Sequence, residues 1–226
     1  MSSIPVITVD GPSGAGKGTI SHMLAERLGW HFLDSGALYR VTGQACLIEG
    51  VSWDDHPAVA GVARNLDVRF TAAPDGEILV AYKGVDVSRD IRTEEGGRGA
   101  STVAAIPAVR EALLQRQREF RHSPGLVADG RDMGTVVFRD APLKFFLVAS
   151  AAERAERRYK QLIAKGESVS LPRLLADIEE RDARDSSREV SPLVPAEDAI
   201  IIDSTATPIH EVFAMVMQKV KEKGLI

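Results

Sequence analysis

The chain has 226 residues, 44% of them hydrophobic and 27% charged, with a formal net charge of −4. This is the composition of an ordinary globular protein, long enough to bury one sizeable core with insertions. Its mild acidity gives no global reason to bind nucleic acid or an anionic membrane surface. The single cysteine, Cys46, excludes an intrachain disulfide and any multi-cysteine metal site. No apolar run approaches the ~20 residues of a membrane helix. With no basic stretch leading into an apolar core at the N-terminus, a cytoplasmic location is expected.

Residues 4–10 are β-branched and apolar on both faces, which predicts a buried parallel strand. They lead into Gly11-Pro12-Ser13-Gly14-Ala15-Gly16-Lys17-Gly18-Thr19, spaced as G-x-x-x-x-G-K. Gly18 stands where that pattern usually has Ser or Thr, and Thr19 carries the hydroxyl one place later. Between a strand and a helix, such a loop cradles phosphate. Glycines let backbone N–H groups converge, the helix N-terminus adds positive potential, and Lys17 supplies a mobile charge. Nucleotide binding follows.

The next helix places Ile20, Met23, Leu24, Ala25 and Leu28 at helical spacing and stops at Gly29. Residues 30–33 read as a second strand, with Asp34-Ser35-Gly36 capping a helix over 37–48 that packs Cys46. Asp54 or Asp55 opens a further helix running to about residue 66. Then the period changes. Short strands at 68–71, 78–82 and 85–87, separated by Pro74-Asp75-Gly76 and Lys83-Gly84, predict an antiparallel insert between βα units.

Pro107 suits the first turn of a helix whose apolar stripe is Val109, Leu113, Leu114 and Phe120. A strand at 126–128 ends in Asp129-Gly130-Arg131-Asp132, and 143–148 is the next buried strand. Helices follow over 152–164 and 172–184, then a last strand at 199–202. The final helix, 208–221, turns Ile209, Val212, Phe213, Val216 and Val220 inward. This alternation predicts a doubly wound parallel α/β sheet.

Ligands of such sheets sit beyond the carboxyl ends of strands. The first strand end leads into the phosphate loop, the second into Asp34, Ser35, Tyr39 and Arg40, and the third into Asp129, Arg131 and Asp132. The fourth leads to the basic segment 153–160, echoed by Arg181-Asp182-Ala183-Arg184-Asp185-Ser186-Ser187-Arg188. Both segments read equally as solvated helices with ion pairs such as Glu180 with Arg184. Beside a phosphate cradle they gain another reading. Phosphoryl transfer needs cations around three developing oxygen charges, and arginine forks on a closing lid suit that task.

At these residues the chain resembles the bacterial cytidylate kinases, within the nucleoside monophosphate kinases. The resemblance is carried by 11–19, Asp34-Ser35-Gly36-Ala37-Leu38-Tyr39-Arg40, Gly130-Arg131-Asp132-Met133-Gly134-Thr135 and 181–188, and it runs from about residue 5 to 205. Gly-Lys-Gly-Thr alone marks nucleoside monophosphate kinases generally; the segments at 34–40 and 130–135 are more specific. The resemblance implies a P-loop nucleoside triphosphate hydrolase fold, a doubly wound parallel sheet with a small antiparallel β insert and a short lid. It implies one kinase domain over 1–226, with a core (about 1–50, 105–160 and 185–226), an insert (about 51–104) and a lid region (about 154–188). It further implies ATP-dependent phosphorylation of CMP and dCMP with Mg²⁺, in pyrimidine metabolism, by a monomer without nucleic-acid or membrane partners.

Carried over residue by residue, Ser35 and Arg40 contact the acceptor nucleotide, and Arg131 its phosphate. Ser101, Arg110 and Asp132 line the cytosine pocket, and Arg181, Asp185 and Arg188 reach its sugar, base edge or phosphate. Lys17, Arg131, Arg154, Arg158 and Arg188 carry the catalytic charge, with Arg157 and Lys160 not separable from them in sequence. Thr19 and Asp129 are candidate indirect magnesium partners; no direct metal ligand is expected. Cytosine presents an amine beside two acceptors, so Asp132 accepts while Arg110 donates, and uracil would set a carbonyl against the carboxylate. Polar pairing of that kind can discriminate by ~10⁴-fold or more.

Plainer readings stand beside these: Ser35 as a helix N-cap, Arg110 as a surface residue, and Asp132 paired with Arg131 as a loop clamp. Two features depart from the family pattern. Glu94-Glu95-Gly96-Gly97-Arg98-Gly99 replaces an alanine-rich helix, and at ~1 kcal/mol per interior glycine an irregular hinge is expected before Ser101. The lid loop between residues 164 and 171 has only Lys165 as a cation, so arginines must come from its flanking helices. Other functional readings are a kinase for UMP, AMP or a metabolite, and a regulatory nucleotide switch. For the switch, the Asn-Lys-x-Asp motif of guanine-specific proteins is absent.

Overall fold

The apolar run that opens the chain forms strand β1, Val6–Asp10, buried at all five positions. In the computed structural model, which describes residues 4–72 and 78–226, the other elements follow in chain order. They are α1 (Lys17–Leu28), β2 (His31–Asp34), α2 (Ser35–Ile48), α3 (His56–Arg64), β3 (Val68–Ala72), β4 (Ile78–Tyr82) and β5 (Val85–Asp86). After a 3₁₀ turn at Asp90–Arg92 come α4 (Glu94–Val103), α5 (Pro107–Arg118), β6 (Leu126–Gly130) and a single π-helical turn, Met133–Val137. The chain closes with β7 (Leu143–Val148), α6 (Ala151–Ala164), α7 (Leu171–Ser186), β8 (Ile200–Asp203) and α8 (Ile209–Glu222).

The chain divides into two compact units, Met1–Asp34 with Arg118–Ile226, and Ser35–Gln117. The first holds a five-stranded sheet in the order β2-β6-β1-β7-β8, and every pairing in it is parallel. Buried on both faces, such strands must be apolar throughout, as β1 and β7 largely are. The core joins Ile7 and Val9 of β1, Leu24 of α1, Phe145 and Leu147 of β7, and the α8 stripe Val212, Val216 and Val220. Register aligns Asp10 with Gly130, and both Val9 and Asp34 with Asp129, so three carboxylates finish at the carboxyl edge of the sheet. From β1 the chain winds to β2 on one edge and then returns through β6 to β7 and β8 on the other side of β1, so the loop after β1 lies where connections to the two sides diverge. Ile209 departs from its expected inward place and is 41% exposed. As the first residue of α8 it lies short of the core, near Gly16, where a Cβ would meet its Cδ1 at 3.4 Å. Phe120 falls beyond the end of α5 and is only partly buried.

In the second unit, β3, β4 and β5 form the expected antiparallel sheet. The Pro74-Asp75-Gly76 turn lies outside the described residues. Asp55 caps α3 by accepting from Ala58 N–H at 3.1 Å. Helix α2 starts at Ser35 itself, so Ser35 is its first residue and not a preceding cap. The boundaries read at about 50 and 105 fall inside this unit, because α2 packs on α4 and shares its seam. That seam corrects the expected hinge. Residues 94–103 form a regular helix in which Gly96, Gly97 and Gly99 are buried. A Cβ on Gly99 would stand 2.6 Å from Trp53 Cζ2, and one on Gly43 would stand 3.1 Å from the Gly99 carbonyl carbon. Trp53 Nε1 also donates to Gly43 O at 3.1 Å. Close packing of the two backbones offsets the poor helix propensity of glycine.

Candidate active site

The loop after β1 is shaped by space as much as by torsion. Gly11 has φ 142°, and a Cβ there would overlap Leu147 O at 2.1 Å, so no other residue fits. Gly16, at φ 92°, turns the chain into α1. The loop is pinned from three elements. Ser204 Oγ, beyond β8, donates to Ala15 O at 2.9 Å. Arg154 of α6 donates through Nη1 to Ser13 O at 3.0 Å and through Nε to Ala149 O at 2.9 Å. Arg181 of α7 donates to Ser13 Oγ at 3.3 Å.

Lys17 lies at the start of α1, where its ammonium donates to Pro12 O at 2.9 Å and sits 3.8 Å from Asp129 Oδ1. It is 6% exposed. Burial lowers its pKa to about 8, against the pull of Asp129, with Arg131 and Arg181 adding to the downward push. Burial likewise raises Asp129 to about 6, opposed by Lys17 and helped by Asp34. Asp10 is raised to about 7, burial outweighing the two main-chain N–H groups it accepts. Gly18 faces this cluster: a Cβ there would lie 3.4 Å from Asp129 Oδ2. Thr19 is exposed at the same helix start.

Three arginines are held by carboxylates of α7. Asp185 of α7, buried, accepts from Arg131 Nε at 2.7 Å and also from Arg188. Burial disfavours its charge, yet Arg131, Arg188 and Arg181 hold its pKa below the ordinary aspartate value. Burial also opposes the charge on Arg131, but Asp185 and then Asp129 keep its pKa above the usual arginine value. Arg154 is 3% exposed and forms a bidentate pair with Asp182. These pairs fix planar, five-donor groups in place before any anion arrives.

The structure separates residues that the basic segment left equivalent. Arg154 points to the loop, whereas Arg157 donates to Glu153, Ser204 O and Thr205 O. Arg158, one turn on from Arg154, is partly buried, and Lys160 is exposed beside Glu156. Part of the solvated-helix reading therefore also holds, as with the exposed pair Arg184–Glu180. Asp132 is 3% exposed; Arg131 is bonded to Asp185, on another element.

In the second unit, Ser35 and Ser101 are buried, and Arg40 donates to Ile91 O at 2.6 Å. Arg110 is no surface residue: it is 7% exposed, its guanidinium lies 5.3 Å from the Tyr39 ring centre, and it donates to Ala104 O at 3.1 Å. Among the described residues no cluster of three His, Cys, Asp or Glu side chains could hold a metal ion, and no helix is long and apolar enough to cross a membrane. Beside the loop, Asp129 at the end of β6 and the Thr19 hydroxyl in the first turn of α1 are what the protein offers a magnesium ion. That sparse set fits an ion held chiefly by phosphate and water.

Sequence reasoning missed Asp10, Asp182 and Ser204. Asp10 had a signal, a carboxylate closing an otherwise apolar buried strand. Asp182 stood within the basic segment without a visible partner. Ser204 had none, being 189 residues from the carbonyl it binds.

Comparison with known proteins bears on the whole chain. The family model described as "Cytidylate kinase" matches residues 7–222. The chain is 57% identical over 223 residues to "Cytidylate kinase" of Stutzerimonas stutzeri (strain A1501), covering 98% of this chain and 97% of that protein. It is 59% identical over 213 residues to "Cytidylate kinase" of Aeromonas salmonicida (strain A449), covering 94% and 92%. For "Cytidylate kinase" of Klebsiella pneumoniae (strain 342) the figures are 56% over 222 residues, 98% and 97%.

Proposed function

This chain belongs to the cytidylate kinase family, and from that premise we propose that it transfers the γ-phosphoryl group of ATP to CMP and dCMP. One structural observation carries the chemistry: the buried lysine at the head of α1 shares one unit with three arginines, Arg131, Arg154 and Arg188, already oriented by Asp182 and Asp185. The acceptor phosphate oxygen attacks directly, so no side chain needs to form a covalent bond. The protein positions the two phosphates and neutralises the charge that develops between them.

In this reading residues 11–19 hold the triphosphate, with Lys17 on its outer phosphates. Arg154, bonded to the carbonyl of Ser13 in that same loop, is the arginine best placed to meet the moving group; Arg158 supports it. Arg131 and Arg188, braced on Asp185, take the acceptor phosphate, joined by Arg181. Ser35, Arg40, Ser101, Arg110 and Asp132 select the acceptor, with Asp132 accepting from the cytosine amine. Asp129 and Thr19 would help to hold a magnesium ion brought with ATP, whose charge would offset that of the phosphate oxygens. Core, insert and lid together make one cytoplasmic, monomeric enzyme of pyrimidine nucleotide metabolism.

The test is ADP release by the purified protein with CMP, dCMP, UMP and AMP in turn. CMP and dCMP are expected as the preferred acceptors; faster turnover of UMP or AMP would overturn the assignment.

A further inference from the structure

Strand β1 is buried throughout and apolar apart from Thr8 and Asp10, and Asp10 itself is 4% exposed. A carboxylate in that position costs free energy unless it is hydrogen-bonded. Its partners are main-chain groups: Oδ1 accepts from Met133 N–H at 2.8 Å and Oδ2 from Gly134 N–H at 2.8 Å. These are the first two N–H groups of the π-helical turn, which have no partner within the turn itself. The residue preceding the turn, Asp132, makes no side-chain cap bond to it. The cap therefore comes from across the sheet, 123 and 124 residues away in sequence.

A second observation concerns Gly134. A Cβ there would stand 2.9 Å from Thr8 Oγ1 and 3.0 Å from Lys144 Cδ. Only glycine brings this backbone against β1 closely enough for both N–H groups to meet one carboxylate. Asp132 O in turn accepts from Val136 N–H at 2.9 Å and Val137 N–H at 3.2 Å, so the turn and residue 132 are fixed together.

We propose that Asp10 is a positioning residue for the acceptor side of the reaction, fixing through Met133 and Gly134 the segment that carries Arg131 and Asp132. The inference rests on the reading of those two residues as acceptor ligands. It assigns the strand-end carboxylate to the acceptor nucleotide, although Asp10 directly precedes the phosphate loop.

Two variants test it, Asp10→Asn and Gly134→Ala. The asparagine keeps the shape but turns an amide NH₂ toward one of the N–H groups, losing that bond; charge-assisted bonds of this kind support an effect of about tenfold or more. The expected result is a rise of about tenfold in KM for CMP in both variants, with KM for ATP changed less than twofold. Hydrogen exchange should accelerate at whichever of the Met133 and Gly134 amides faces the new NH₂ in folded Asp10→Asn protein, whose folding is checked by thermal melting. A KM change confined to ATP, an equal change for both substrates, or no change would overturn the proposal. Unchanged protection of both amides in the variant would overturn it too. A wild-type protein that fails to phosphorylate CMP would instead refute the functional reading, while the exchange experiment still reports on the bonds.

Discussion

Lys17 shows how one side chain serves two demands. Burial at the head of α1 strips water from its ammonium, and the cost appears as a pKa near 8. In the resting protein it is satisfied by Pro12 O and Asp129. Replacing it with alanine should lower phosphoryl transfer by about 10³-fold, the scale of losing a preorganised charge at a reacting centre, with circular dichroism unchanged. The sign of the pH effect follows from the lowered pKa. Above about 8 the lysine of the free protein is neutral, so KM for ATP should rise with pH through that value, measured in initial-rate assays at fixed CMP. Asp132→Ala should reduce the preference for CMP over UMP by at least tenfold, as pairing lost at a buried polar site does, and leave KM for ATP unchanged. The loop and its lysine were legible in sequence because their spacing is local. The pairing of Arg131 with Asp185 was not, since 54 residues separate them and only folding brings them together.

Helix α4 teaches the converse lesson. Its glycines argue against a helix when each is scored alone, yet the helix forms because the backbones of α2 and α4 and the Trp53 ring fill the space a side chain would need. Two substitutions separate propensity from packing. A Cβ added to Gly61, inside α3, would meet nothing within 4 Å, so Gly61→Ala should stabilise by up to ~1 kcal/mol. Gly99→Ala gains the same propensity but collides with the indole, and overpacking of ~1–3 kcal/mol should leave it net destabilised. Urea denaturation midpoints of both variants measure the difference. Apart from α4, the strand and helix alternation was readable from periodicity, and most element ends moved by one or two residues. The antiparallel insert was legible from the change of period near residue 68.

On the scale of the whole chain, the unit built on the parallel sheet contains the phosphate loop and the arginine cluster, while Ser35, Arg40, Ser101 and Arg110 belong to the other. A ligand that binds only the folded loop stabilises the unit containing it by mass action, about 2.7 kcal/mol at a hundred times its Kd. ATP with magnesium should accordingly raise the melting temperature of that unit by a few degrees in scanning calorimetry, and Lys17→Ala should lose most of the shift. A melting curve unaffected by ATP would contradict the nucleotide-binding role of the loop.

By itself the sequence determined the features whose physics is short-ranged: which stretches alternate as strands and helices, where glycines and a lysine make a phosphate nest, and which segments mark the family. Tertiary structure alone decided which arginine of the basic helix turns to the loop, which carboxylates hold the guanidiniums, and why a glycine-rich segment is a helix. The reason is one of range. A turn or a helical stripe depends on neighbours a few residues away, whereas an ion pair such as Arg154 with Asp182 exists only after separate elements have packed and expelled the water between them.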